Sequence, residues 1–573
     1  MSDTKDLRVT VAIDFGTTFS GFAYANNINP DITVHDSWFG LNNSRKIIPK
    51  TNTVIQYGSG WKLVNWGFPA LAQDPGSRRK KKHVNTDCKT VELFKLHLAD
   101  IPDYQKPGLP YGLDYRKAIR DFLAEMKPLI QETLNRRWPP AIKLSQVRFV
   151  FSVPAEWKPH IIGILQDCIY DAGYLEKRHS NHNLEFTTEP EAAALYCMKK
   201  SGEYKLDVGD TFLIVDCGGG TVDLTMRTLV EGDCISEDTE RTGDLCGSTY
   251  VDKNFRAFLE KKLGKSALMN LQNKHYEQYQ YMIHEFFCPY IKFLFNGDQA
   301  EFKIIELDIE KWCPALIDYV SQEIKEEMEE EDWLIEILFQ DVFEMFHPVV
   351  ENILTLINNQ LNSSRKKCSA MFMVGGFAES PYLIKMIEER FSGRVPLIAV
   401  PQNPITAILR GAVMYGLNKK AVKHRKLTMN YGVEVFPKWI QDVDPKARKT
   451  ENGRIAKFSC LAKRGRIVTP DEVCSDVYYP VYPDQTAILF KVFATSKPNQ
   501  RFCDKSDKTG MEEVGKLRIK LPDIHLGIDR PVEFGLKFGE LLITATARNK
   551  TNGESYSAEF NYVSAFEAAT SCN

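Results

Sequence analysis

The chain has 573 residues, 43% hydrophobic and 26% charged, and its 73 Lys and Arg against 75 Asp and Glu leave a formal charge of −2. That length exceeds what one hydrophobic core can organise and implies two or more domains. The near-neutral charge gives no footprint for nucleic acid or an acidic membrane surface. No apolar run is long enough for membrane insertion, and the polar start MSDTKDLR lacks the apolar core of a signal peptide, so a cytoplasmic chain is expected. The thirteen cysteines show no CxxC or zinc spacing and several lie in apolar runs (Cys168, Cys197, Cys217), which reads as a set of reduced thiols.

The first predicted element is a hairpin. Residues 9–25, VTVAIDFGTTFSGFAYA, run along an apolar strand to the carboxylate of Asp14, pass Gly16 and the hydroxyls of Thr17 and Thr18, and return along a second apolar strand. Residues 26–90 alternate short apolar runs with Pro and Gly, as β-rich insertions do, and include a basic run, Ser77 to His83, read as a solvated loop. Apolar residues at helical spacing (Ile119, Phe122, Leu123, Met126, Ile130) predict a helix over 115–135. VRFVFSVPAEW (Val147 to Trp157) reads as a buried strand stopped by Pro154, and a helix over about 160–172 ends at Gly173. Thr188-Glu189-Pro190 opens the helix EAAALYCMKK, with Pro190 tolerated in its first turn.

A second hairpin follows at 211–226, TFLIVDCGGGTVDLTM. Phe212 to Val215 read as a buried strand that delivers the carboxylate of Asp216, and Gly218, Gly219 and Gly220 predict a tight turn with positive φ angles. Thr221 and Asp223 begin the returning strand. A carboxylate beside backbone N–H groups suits phosphate oxygens and a hydrated cation; equally, taken alone, the glycines could serve only packing. The likeness to the first hairpin, about 200 residues away, favours the ligand reading, with duplicated halves closing on one nucleotide. Beyond it, Gly243-Asp244 and Gly247 mark a turn before a helix over 250–262, and the acidic stretch Glu326 to Asp332 reads as the exposed face of a long helix. Met371 to Val374 read as a strand running into Gly375-Gly376, with an amphipathic helix from Pro381; such glycines let a planar group such as adenosine lie against the main chain, and, taken alone, the pattern equally fits a strand–turn–helix with no ligand. A helix over 405–417 closes the region. The charged stretch KKAVKHRKL, 419–427, is placed as a linker. After it only strand patterns occur (ILFKVF, KLRIKL, VEFGLKF, LLITATA, SYSAEFNY), which predicts a β-sandwich over 428–573.

IDFGTTFS and VDCGGGTVD resemble the two phosphate loops of the Hsp70 (heat-shock 70 kDa, DnaK-type) family, and VGGFAESP is similar to its adenosine loop. SVPAEW and TTEPEAAALY look like the segments that connect its lobes, and the resemblance is stronger to the family's divergent heat shock 70 kDa protein 12 type than to its typical members. The resemblance implies an α/β, actin-like (ribonuclease H-like), two-lobed ATPase domain over 1–418, with halves of about 1–200 and 201–418, followed by a substrate-binding-like β-sandwich with no helical lid. It implies ATP or ADP with Mg2+ as cofactors and polypeptide clients or partner proteins as partners. By position, Asp14 and Asp216 would hold Mg2+ through waters. Gly16, Thr17, Thr18, Gly218, Gly219, Gly220 and Thr221 would contact phosphate; Gly243, Gly375, Gly376 and Lys292 would complete the nucleotide site. Lys95, in TVELFK, takes the place of the catalytic lysine, and Glu189 and Asp223 would orient water around metal and phosphate; the metal-holding Asp216 and the phosphate-contacting Thr221 complete the catalytic set.

The chain also departs from the family. Glu379 stands where an arginine stacks on adenine, Ile405 replaces an acid after Asn403-Pro404, and KKAVKHRKL replaces the acidic-leucine linker. The expected function is therefore an ATP-binding, slowly ATP-hydrolysing chaperone relative. The alternative is a nucleotide-sensing interaction scaffold with negligible turnover. A small-molecule kinase of the same fold is disfavoured, because it has no need of a C-terminal sandwich.

Overall fold

The structure is a computed structural model that describes residues 7–39, 48–71, 88–99, 101–155, 157, 159–176, 183–232, 234–418, 421–469, 471–504, 510–538 and 543–560. The basic run at 77–83 lies outside the described residues. The fold is mixed α/β with several sheets. Met1–Trp157, Asp167–Asp233 and Arg241–Lys419 form one compact unit, and Lys158–Gln166, Cys234–Glu240 and Lys420–Asn573 form a second.

The first unit carries the same strand pattern twice. In its first half, β1 (Val9–Phe15) pairs antiparallel with β2 (Phe19–Asn26) and parallel with β3 (Val147–Val153), which pairs parallel with β4 (Leu184–Thr188). In the second half, β5 (Thr211–Cys217) pairs antiparallel with β6 (Val222–Val230) and parallel with β7 (Cys368–Val374), which pairs parallel with β8 (Leu397–Ala399). Every residue of β1 and β5 is buried. That matches their continuous apolar runs, since strands flanked by parallel neighbours are covered on both faces. The registers correspond too: Asp14 faces Gly21 and Ser152, and Asp216 faces Asp223 and Val374.

Helices complete the unit. The helix α1 (Tyr115–Arg137) buries Ile119, Phe122, Leu123, Met126 and Ile130 on one face. Next, α2 (Glu189–Lys199) is almost wholly buried and packs against α5 (Ala407–Leu417). Small residues make that approach possible: a Cβ placed on Gly411 would fall 1.7 Å from the Ala192 carbonyl oxygen. The helix α3 (Thr249–Leu263) follows the second hairpin, and α4 (Pro381–Phe391) follows β7. The aromatic-rich stretch 270–300 contains helices and a π-helix, Ile283–Lys292, with Pro289 inside it. A proline has no N–H to give, so the regular ladder is interrupted there. The acidic stretch at 326–332 does not lie along a long helix. It ends a short one, Gln322–Glu330, closed by turn residues with positive φ at Asp332 and Trp333.

The second unit holds two four-stranded antiparallel sheets. One has Lys457–Ala462, Asn430–Val435, Ala487–Thr495 and Met511–Lys520 side by side; the other has Val473–Tyr478, Val532–Phe538, Ile543–Asn549 and Ser555–Phe560. Their inward residues share one apolar cluster, in which Phe490 stacks on Phe534 at 4.3 Å between ring centroids. Alternation of apolar and polar residues along each strand puts one face into this core. The stretch 419–427 contains a strand, Val422–Lys426, which pairs with Cys234–Glu237 and Ile467–Val468, so it is not a free connector.

Candidate functional site

Both hairpin turns are anchored from behind through their carbonyls. In the first turn the Thr53 hydroxyl donates to the Gly16 carbonyl and the Thr53 N–H to the Thr18 carbonyl, while Gly16 N–H donates to Ser20 Oγ. In the second, the N–H groups of Gly247, Ser248 and Thr249 donate to the carbonyls of Gly220, Gly218 and Gly219. The Thr249 hydroxyl adds a second bond to the Gly219 carbonyl at 2.9 Å. Among the described residues, the amides of Thr17, Thr18, Gly219 and Gly220 donate to no protein group. Fixed carbonyls behind and unspent N–H groups in front make a turn suited to anionic oxygens.

The two turns meet. A Cβ on Gly219 would fall 2.4 Å from Thr18 Oγ1, and one on Gly220 would fall 2.8 Å from Thr17 Oγ1. Gly247 backs them, since its Cβ would stand 2.5 Å from the Gly219 carbonyl. The expectation of positive φ at Gly218, Gly219 and Gly220 is corrected here: none of the three adopts it. At Gly219 and Gly220 that freedom is spent on close approach, where any side chain would separate the turns. Gly375 does need positive φ, at +85°, and its Cβ would meet the Cys217 carbonyl and, at 2.7 Å, Asp216 Oδ1. Gly376 faces open space, which leaves room for a planar group beside the main chain.

Charged side chains collect at this junction. Asp14 accepts from Lys50 Nζ at 2.5 Å on one oxygen and from Ser152 Oγ at 3.2 Å on the other. Lys95 lies on a short 3-10 turn, Phe94–Leu98, and is buried rather than solvated. Its Nζ donates to Glu189 Oε1 at 2.8 Å and stands 5.3 Å from the Trp157 ring centroid. Asp223 accepts from the Ala155 N–H at 3.0 Å. Asp216 is buried, and its Oδ1 has no hydrogen-bond partner among the described residues.

These charges set one another's acidity. Burial, then the carboxylates of Glu189, Asp223 and Asp14, holds the Asp216 carboxyl well above the usual range, with Lys50 opposing. Burial also raises Glu189, against the pull of Lys95. A buried carboxylate with an unbonded oxygen and three acidic neighbours fits a cation at that point. No group of three or more His, Cys, Asp or Glu among the described residues is arranged to ligate a metal directly. The donor set therefore suits a hydrated cation better than a bare one.

Other predicted residues sit at the margin. Gly243 lies opposite Asp223 on a short strand, Thr242–Asp244. Lys292 is engaged: its Nζ contacts both oxygens of Asp252, at 2.7 and 2.9 Å, on the same helix that begins at Thr249. Burial raises the carboxyl of Glu379. His97 bonds the Pro107 carbonyl and His347 the Tyr382 hydroxyl, both structural roles.

The chain aligns over nearly its whole length with curated proteins of one kind. Mouse heat shock 70 kDa protein 12A is 24% identical over 98% of this chain and 93% of its own length. Human heat shock 70 kDa protein 12B is 23% identical, with 97% and 91% covered. The chaperone protein HscA of Buchnera aphidicola matches 45% of this chain at 25% identity. Over nearly its full length the chain is thus similar to Hsp70-family proteins of the 12A/12B type. No family model matches it.

In this Hsp70 relative, sequence reasoning missed Lys50, Thr53 and the 247–249 segment as parts of the site. Lys50 carries a usable signal, as the lone charge in IIPKTNTVI just before a buried strand. The other two act through backbone N–H groups and a hydroxyl, and no residue pattern announces them. No helix among the described residues is long and apolar enough to cross a membrane.

Proposed function

We propose that the first unit is an actin-like, two-lobed nucleotide-binding domain that takes ATP or ADP between its two hairpins and hydrolyses ATP slowly. The contact of the Thr17-Thr18 turn with the Gly219-Gly220 turn, beside the unbonded oxygen of Asp216, is the observation that carries this reading. The unspent amides of both turns and the hydroxyls of Thr17, Thr18 and Thr221 would cradle phosphate oxygens. A bound Mg2+ would supply charge neutralisation at the phosphates, and Asp216, with Asp14 beside it, would hold its water shell. Lys95 would stabilise charge that grows on the terminal phosphate, and Glu189, tethered to it, would fix its position. Asp223 would orient the attacking water. Catalysis of this type rests on positioning and electrostatics.

The second unit is read as a substrate-binding-like β-sandwich that holds extended polypeptide. Two four-stranded sheets sharing one core support that reading. Single-turnover hydrolysis by the full chain and by Lys95→Ala tests the ATPase reading. We expect slow turnover in the wild type and a drop of about 100-fold or more in the variant. Equal rates at the buffer background would leave the scaffold alternative, in which nucleotide is bound and not turned over.

A further inference from the structure

The two hairpin acids are equivalent in register, yet their surroundings differ. Both Asp14 oxygens are engaged, by Lys50 and by Ser152, whereas Asp216 Oδ1 has no partner among the described residues. Lys50 is no surface residue that has strayed inward. It is 6% exposed, and Asp14 is 3% exposed. The cross-strand partner of Asp14 is Gly21, and a Cβ there would fall 2.9 Å from Lys50 Cγ and 2.8 Å from the Pro49 carbonyl. The sheet thus leaves a slot the width of a lysine stem, and its ammonium group ends on the hairpin carboxylate. In the second half the corresponding cross-strand residue is Asp223, an acid instead of a gap.

We propose that Lys50 is a built-in cation of the phosphate site, standing on Asp14 where a hydrated metal would otherwise draw on that carboxylate. Nucleoside diphosphate binding by this chain is then only weakly dependent on divalent metal, and any bound cation is held chiefly from the Asp216 side. An ammonium ion on a fixed stem offers three donors and a full positive charge within a buried carboxylate cluster. It partly offsets the repulsion that would otherwise oppose the entry of a polyphosphate. The inference rests on the nucleotide reading above.

Titration calorimetry of the full chain with ADP, in excess Mg2+ and again in excess EDTA, tests it. The expected wild-type result is a Kd that changes by less than about tenfold between the two conditions. For Lys50→Met, binding in EDTA should weaken by about 100-fold while Mg2+ restores most of it. Should Lys50→Met fail to fold, the wild-type ratio alone decides. A wild-type Kd that collapses in EDTA, or a Lys50→Met protein that matches the wild type in EDTA, overturns the proposal. If the wild type binds no ADP in either condition, the nucleotide reading itself fails. If it binds only with Mg2+, the nucleotide reading stands and the role of Lys50 falls.

Discussion

The two hairpins of the first unit share strand order, register and an acid at the same point, yet they manage that acid in opposite ways. Asp14 is neutralised by Lys50 and bonded by Ser152; Asp216 is surrounded by Glu189, Asp223 and Asp14 and lacks a bond on one oxygen. Duplication fixes where the carboxylates stand. The residues opposite and behind them decide whether each is finished in the empty protein or held open for a charge from outside. A site with one satisfied and one unsatisfied half has a direction: positive charge from outside would be drawn toward Asp216 rather than Asp14.

Removing the two acids one at a time breaks this comparison most forcefully. Asp14→Asn leaves the buried Lys50 ammonium without its counter-ion and should cost about 3–5 kcal/mol in denaturant unfolding of the ligand-free protein. Asp216→Asn removes a charge that its neighbours repel, and should stabilise the ligand-free protein by on the order of 1 kcal/mol. Opposite signs from two equivalent positions are the expected outcome. Equal losses at both would mean that the asymmetry has no energetic weight.

How much of this was legible depends on the kind of contact. The central strands and their acids were readable because a buried parallel strand must be continuously apolar, as in VAI before Asp14 and FLIV before Asp216. The helix from Tyr115 was readable through its spacing of apolar residues. The reason for the glycines was not readable. Sequence supports positive φ and close approach equally, and the structure uses the latter at Gly219 and Gly220 and both at Gly375. The strand at Val422–Lys426 was hidden for a different reason. Its residues are charged, and what makes it a strand is pairing with Cys234–Glu237, about 190 residues earlier. Lys95 could be aligned to a role by resemblance, but its burial and its tie to Glu189 come from tertiary packing alone.

A smaller effect should separate turn contacts from open glycines. Gly219→Ala pushes a methyl group into Thr18 Oγ1 and should cost about 1–3 kcal/mol, with the turns forced apart. Gly376→Ala meets nothing within 4 Å and should leave stability within about 0.5 kcal/mol of the wild type. If it nevertheless weakens ADP binding in calorimetry, the planar group lies against that glycine. Unchanged binding would move the adenosine elsewhere.

The smallest expected effect concerns an ion pair that joins the two halves, His284 with Glu92. Glu92, three residues before Lys95, accepts from Gln280 Nε2 at 2.9 Å and from the Tyr276 hydroxyl, and lies 3.7 Å from His284 Nε2. Burial alone would lower the affinity of His284 for its proton, but the Glu92 carboxylate outweighs it and raises the imidazole above its ordinary 6.5. Burial would likewise raise Glu92, and the bonds from His284, Tyr276 and Gln280 outweigh it, holding the carboxyl below 4.5. The histidine contribution is complete below 6.5 and fades as pH climbs through its raised folded value. The glutamate contribution is complete above 4.5 and is lost as pH falls through its lowered folded value. Stability from the pair is therefore greatest between those limits and declines toward pH 8, by less than about 1 kcal/mol because His284 is partly solvated. Urea midpoints measured from pH 5.5 to 8.5 should fall more steeply in the wild type than in His284→Gln, whose side chain keeps a donor without the charge. Parallel slopes would place any pH response of the first unit at the carboxylate cluster instead, because Asp216, raised by its neighbours, also destabilises the empty protein as it ionises.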